Sequence, residues 1–311
     1  VAGRGGRAGG IWRTACGRAC LWLRFGAAVI GLVQAAIHPA NYALGATVAP
    51  AEPLGRSFSV HTCGGYLGFA IGPVLIGAAA VSVGWRAGLA IVGIIGLVYA
   101  VVLAGSLTPL YRQRIDDRSH SGTDGAPAYT VAIAFLGVFF IAIAGAEKAV
   151  QTFTPLFVVD GLAAAVTTGS NALAAFFTAT AVTVLIGGVL ADRSDPRWNI
   201  ALATLITAVT LGATLRWAPA DAATILAVFA VAGAGFGLMF ASRDRLVAGL
   251  SADGAVGRSF GFVFTADSLG GVIAPVALGV VIDVLTIESA IAMTAALFVL
   301  AGGLALLQDR R

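Results

Sequence analysis

Few ionisable side chains interrupt the long apolar runs of this sequence, and those that do are the natural place to look for chemistry: Glu147, Lys148, Asp267, His38 and His61. In hydrocarbon each costs several kcal/mol unless it is paired or wetted, so each is a functional group by default. Asp267 lies nine residues after Arg258, about 13–14 Å along a helix at 1.5 Å per residue. At that depth a carboxylate must face the bundle interior, pair, or hold a proton. It is suited to carrying a proton or to pairing with a cationic solute, and the structural alternative is a hydrogen bond to a neighbouring helix. Ser268 beside it is read as cavity lining.

Glu147 and Lys148 are adjacent, with Gln151 and Pro155 following. Neighbouring residues project about 100° apart on a helix, so the two do not face one another and need partners elsewhere. A proton or substrate site and an outer-gate ion pair are both open readings. Lys148 is the single lysine of the chain. Gln34, His38 and Asn41 share one helix face at spacings of four and three, a polar stripe that lines a cavity or bonds between helices. His61, one turn inside its apolar run, reads as an interfacial or gate histidine. Arg243, Asp244 and Arg245 close another run and read as a solvated anchor.

Helices must hold these groups. The chain is 59% hydrophobic and 11% charged, against roughly 25% charged in soluble domains, so the bilayer is its solvent. Runs long enough to cross it are 25–48, 57–80, 86–108, 130–158, 170–190, 198–216, 222–242, 259–282 and 288–307, nine in all. Alternate connections carry eleven arginines (Arg56, Arg112, Arg114, Arg118, Arg193, Arg197, Arg243, Arg245, Arg258, Arg310, Arg311) against two, Arg86 and Arg216. The arginine-rich side, with the C-terminus, is expected to be cytoplasmic in a plasma-membrane protein. The net charge of +4 is therefore no nucleic-acid footprint. Cys16, Cys20 and Cys63 form neither a disulfide framework nor a metal site, and no cofactor is expected. No nucleophile elbow, phosphate loop or ligand cluster points to an enzyme.

The passage GRSFSVHTCGGYLGFAIGPVLIG (55–77) returns as GRSFGFVFTADSLGGVIAPVALG (257–279), ten of 23 positions identical at an offset of 202. Gly65 becomes Asp267, while Pro73 and Pro275 keep the same depth. The offset maps the last two runs onto 57–80 and 86–105, and it maps three earlier runs onto the basic segment 1–24 or before residue 1. The expected organisation is a basic segment (1–24), three spans of a first half (25–108), a flexible linker (109–129) and six spans of a second half (130–311). Parallel duplicated halves describe a secondary transporter. The five arginines of 1–24 would lie on the wrong side, so the expectation is a first half that lacks three spans.

Several motifs resemble those of the major facilitator superfamily. GGVLADRSDPR (187–197) is similar to its signature loop between the second and third spans of a half, with Gly188, Asp192 and Arg193 matching. Asp195-Pro196-Arg197 departs from the usual glycine. GFAIGPVLIG (68–77) resembles the fifth-span motif of proton-coupled exporters at Gly68, Gly72, Pro73 and Gly77. HPANYALGATVAPAEPLGRSF and GWRAGL are similar to drug-efflux and fosmidomycin-resistance-like passages. The resemblance implies an all-α polytopic bundle of the major facilitator type. It implies a monomeric transporter that moves a small organic solute by alternating access, with proton-coupled export as the leading reading. Uptake symport of a metabolite or organic anion, and a fragment without transport activity, are the alternatives.

Overall fold

The computed structural model describes residues 25–26, 54–118, 131–217, 221–252 and 255–308, with no strand among them. The helices are α1 (Leu54–Ser82), α2 (Trp85–Arg118), α3 (Val131–Leu156), α4 (Val166–Arg193), α5 (Pro196–Trp217), α6 (Ala222–Leu238), α7 (Phe240–Leu250), α8 (Val256–Val284) and α9 (Ile287–Leu306). Seven helical stretches among the described residues are long and apolar enough to cross a membrane. The expected span 57–80 falls within α1, and 25–48 lies outside the described residues except for Phe25 and Gly26.

Phenylalanine fills the interior: Phe139, Phe140, Phe176, Phe229, Phe236, Phe260 and Phe298 are all fully buried. Val182, Ile186, Val209, Val272, Ile273 and Val276 point outward and stay exposed. A bundle with apolar residues on both sides suits lipid, where burial of apolar area supplies no net drive and close packing must hold helices together. The packing is close. At Gly233 of α6 an added Cβ would collide with the backbone of Phe176 on α4, and at Gly270 of α8 with the backbone of Ile141 on α3. Buried hydroxyls add bonds between helices: Thr180 Oγ1 donates to the Gly233 carbonyl at 3.0 Å and Thr207 Oγ1 to that of Ala232 at 3.1 Å.

Two expectations change. The helix that starts at Trp85 runs on to Arg118, so residues 109–118 of the expected flexible linker are helical. The helix runs through Pro109, and from Tyr111 to Arg118 there is neither Gly nor Pro to end it. The run 222–242 does not stop at its charged triplet either. After a break at Met239 it continues as α7, so Ala222–Leu250 forms one membrane-length stretch.

A kink of another kind follows Pro155. Proline has no N–H to donate back along the helix, and α3 gives way at Phe157–Gly161 to a π-turn closed by Leu162 N–H on the Phe157 carbonyl at 3.0 Å. Ala163 then turns with a φ of +53°. The start of α4 packs against this corner, with Gly169 closest to Pro155.

Candidate functional site

Glu147 and Lys148 project from α3 in different directions, and each finds a partner elsewhere. Tyr66 of α1 donates its hydroxyl to Glu147 Oε1 at 3.0 Å. Lys148 Nζ donates to Gln151 Oε1 at 3.0 Å, one turn along, and lies 5.5 Å from the centre of the Phe69 ring of α1. Tyr66 is buried because rings surround it: Phe177 of α4 at 5.9 Å, Phe236 of α6 at 6.2 Å and Phe240 of α7 at 5.0 Å. Helix α1 precedes the polar connection and the other four follow it, so this site joins the two parts of the chain.

Helix α8 supplies Asp267, and its position is set by the seam between α3 and α8. Gly137 faces Phe262, Ile141 faces Gly270, and Gly145 faces Ala274. Residues 264, 267 and 271 share the adjoining stripe, at spacings of three and four. The ring of Phe264 lies under the Arg243 guanidinium at 5.9 Å, and Gly271 lies under the Lys148 stem, where a Cβ would stand 3.2 Å from Cγ. Asp267 therefore sits about one helical turn from each of the two residues that the cations cover. It is partly buried, and its carboxylate is within Coulombic reach of Arg243, Glu147, Lys148 and Asp244.

Arg243 and Asp244 are not the solvated anchor expected from the sequence. They are 5% and 0% exposed. Arg243 Nε donates to Asp244 Oδ1 at 2.9 Å, and its guanidinium lies 4.9 Å from the Phe140 ring and 4.7 Å from that of Phe240. With Phe264 these rings make a three-sided aromatic box, a favourable setting for a desolvated cation. The helix continues past the triplet, which is why these charges lie inside the bundle and not at its rim. Arg243 thus differs from the exposed Arg193 in being buried. The signal was present in the apolar run Leu246–Leu250 after the triplet. Tyr66 was missed too, although it aligns with Ser268 in the internal repeat.

The remaining residues separate from this site. Ser268 is exposed, and its hydroxyl donates to the Phe264 carbonyl of its own helix at 2.9 Å. His61 is exposed on α1. Gly68 is exposed, with no described atom within 4 Å of the place a Cβ would take. Gly72, Pro73 and Gly77 lie in α1, with their surroundings outside the described residues, and Gln34, His38 and Asn41 lie wholly outside them.

At the arginine-rich end, Gly188 is buried in α4 and Asp192 and Arg193 end that helix, Arg193 exposed. Asp192 Oδ2 is 3.7 Å from Arg56 Nε at the start of α1. Arg245 donates to the Ala191 carbonyl. Where the motif's glycine is replaced, Asp195 Oδ1 accepts the backbone N–H of Arg197, capping α5. The Arg197 guanidinium grips the same carboxylate at 3.0 and 2.7 Å and donates to the Gln308 carbonyl at 2.8 Å. The loop thereby ties α1, α4, α7 and the end of α9 together.

The family profile described as Major Facilitator Superfamily matches residues 10–163 and, in a second alignment, residues 134–311. No curated protein matches the chain.

Proposed function

Because the chain belongs to the major facilitator superfamily, it is a multi-pass membrane transporter, and we propose that it exports a small organic solute in exchange for protons. The observation that carries this reading is the gathering of Glu147, Lys148, Arg243, Asp244 and Asp267 inside the bundle, where α1 meets α3 and α7 and where α8 packs on α3. Intramembrane charges are expensive to keep and mark ion and substrate paths.

In this mechanism Asp267 and Glu147 carry the proton. Tyr66 orients Glu147, while Gln151 and Phe69 hold Lys148 aside. Solute and proton reach the site in turn as the two halves, joined by the segment 109–129, rock about it. Opening toward the arginine-rich, cytoplasmic side requires the Arg56–Asp192 pair to part. The protein resides in the plasma membrane with its C-terminus in the cytoplasm and works as a monomer. Phe69 of α1 stacks on Phe177 of α4 with ring centres 5.6 Å apart, an apolar contact at the seam along which the halves slide.

Reconstitution of the protein tests this. A substrate screen in vesicles with an imposed pH gradient is expected to find a solute that moves against the proton flux. Asp267→Asn and Glu147→Gln should each lower proton-coupled transport at least about tenfold, a lost charged partner being worth about 1.5–3 kcal/mol. Solute moving in the direction of proton flux would replace export with symport. Normal coupled transport in both variants would remove these residues from the mechanism.

A further inference from the structure

Two internal cations flank Asp267, yet neither is paired with it. Arg56 pairs with Asp192, Arg197 with Asp195 and Arg243 with Asp244, and Asp267 takes part in none of these pairs. Lys148 is committed to Gln151 and the Phe69 ring. Arg243 is committed to Asp244 and its box of rings. The spacing makes this arrangement informative. Asp267 lies one turn from Phe264, which Arg243 covers, so a modest side-chain swing would bring guanidinium and carboxylate together. What opposes that swing is Asp244, on the next residue to Arg243.

We propose that Asp267 is the docking carboxylate for an organic monocation and that Asp244 keeps it available by holding Arg243 away from it. The inference rests on the transport site described above and adds the substrate class. Charge counting supports it. With every group ionised, Glu147, Asp244 and Asp267 oppose Lys148 and Arg243, leaving one negative charge for a cation to neutralise. The expected spans 25–48, 57–80 and 86–108 add no Asp, Glu, Lys or Arg except Arg86 at an end. The surroundings fit an apolar or aromatic body: Tyr66, Phe69, Phe177, Phe140 and Phe264 present rings about the charged groups. Ring faces attract cations and repel anions, so the same walls select charge sign as well as shape. Asp244 is in this view a positioning residue that acts through Arg243.

A matched pair of probes tests the proposal: tetraphenylphosphonium and tetraphenylborate, alike in shape and opposite in charge. Equilibrium dialysis of the purified protein in detergent, against a detergent-only blank, is expected to show phosphonium bound at least about tenfold more tightly than borate. Asp267→Asn should weaken phosphonium binding about tenfold. Asp244→Asn should weaken it comparably, because Arg243 then turns to Asp267. The double variant Arg243→Gln/Asp244→Asn should recover binding to within about threefold of the parent, which loss of a merely structural contact would not allow. Gel filtration and circular dichroism confirm that each variant is folded.

Borate bound as tightly as phosphonium, no binding of phosphonium, unchanged binding in the Asp267 variant, or a folded double variant as weak as Asp244→Asn would each overturn the proposal. The comparison of the two probes needs no variant, so misfolding cannot shelter it. Binding requires no gradient. Failure of proton coupling with phosphonium selectivity intact would sink the export reading alone, and borate preference with coupling intact would sink this one alone.

Discussion

Tyr66 shows how one hydroxyl can matter more than the ring that carries it. The ring packs against Phe177, Phe236 and Phe240, and substitution by phenylalanine keeps that packing. What it removes is the donor to Glu147 Oε1 at 3.0 Å. A hydrogen bond to a charged group is worth about 1.5–3 kcal/mol. Tyr66→Phe is therefore expected to slow transport of the screened substrate by roughly tenfold or more, with thermal stability in detergent little changed. Initial rates in proteoliposomes decide the matter, and a parent-like rate would reduce Tyr66 to a packing residue. The same logic separates Ser268 from its neighbour Asp267. Its hydroxyl is spent on its own helix, at the Phe264 carbonyl, and is not offered to the site.

Helix ends and helix crossings follow from local chemistry that can be tested element by element. Asp221 caps α6: its carboxylate accepts the Thr224 N–H at 2.9 Å and the Thr224 hydroxyl at 2.6 Å. These bonds, the hydroxyl's first, hold its pKa below the ordinary carboxylate value. A lowered folded-state pKa means the cap stabilises fully above the unfolded value and is lost as pH falls through the folded one. Asp221→Asn keeps an acceptor at the cap and does not titrate. Thermal unfolding in detergent from pH 7 down to pH 3 should therefore show a smaller acid-side loss in the variant, and parallel profiles would refute the assignment. The crossings at Gly233 and Gly270 rest on a different cause, since backbone lies where a side chain would go.

Across the whole molecule the arginine-rich end is fastened by several polar contacts of unequal strength. The Arg197 fork on Asp195 is short and partly buried, and it reaches on to the Gln308 carbonyl. The Arg56–Asp192 pair is longer, and the Arg56 side chain is 50% exposed. An exposed pair is worth about 0–1 kcal/mol, small enough to break in each cycle. Asp192→Asn is expected to raise the population open at this end by up to about fivefold. Spin-label distances between the starts of α1 and α5 would read the change. An unaltered distribution would make the pair incidental.

Composition and run length determined by themselves that this is an all-helical membrane protein, because lipid permits few other ways to satisfy a buried backbone. The DRSDPR loop resembled the family's signature, and the GRSF repeat pointed to duplicated halves. Glu147, Lys148 and Asp267 were legible for a related reason: a charge among apolar residues stands out in one dimension. Arg243 and Asp244 were read as solvated because a charged triplet after twenty apolar residues looks like a rim. Only tertiary structure decided otherwise, by carrying the helix on past Met239 and closing three rings around the guanidinium. The partnership of Tyr66 with Glu147 was likewise invisible, since 81 residues separate them. Apolar pattern places a residue at a depth, but which side chains meet at that depth depends on how the helices pack, and small residues at Gly233 and Gly270 set that packing.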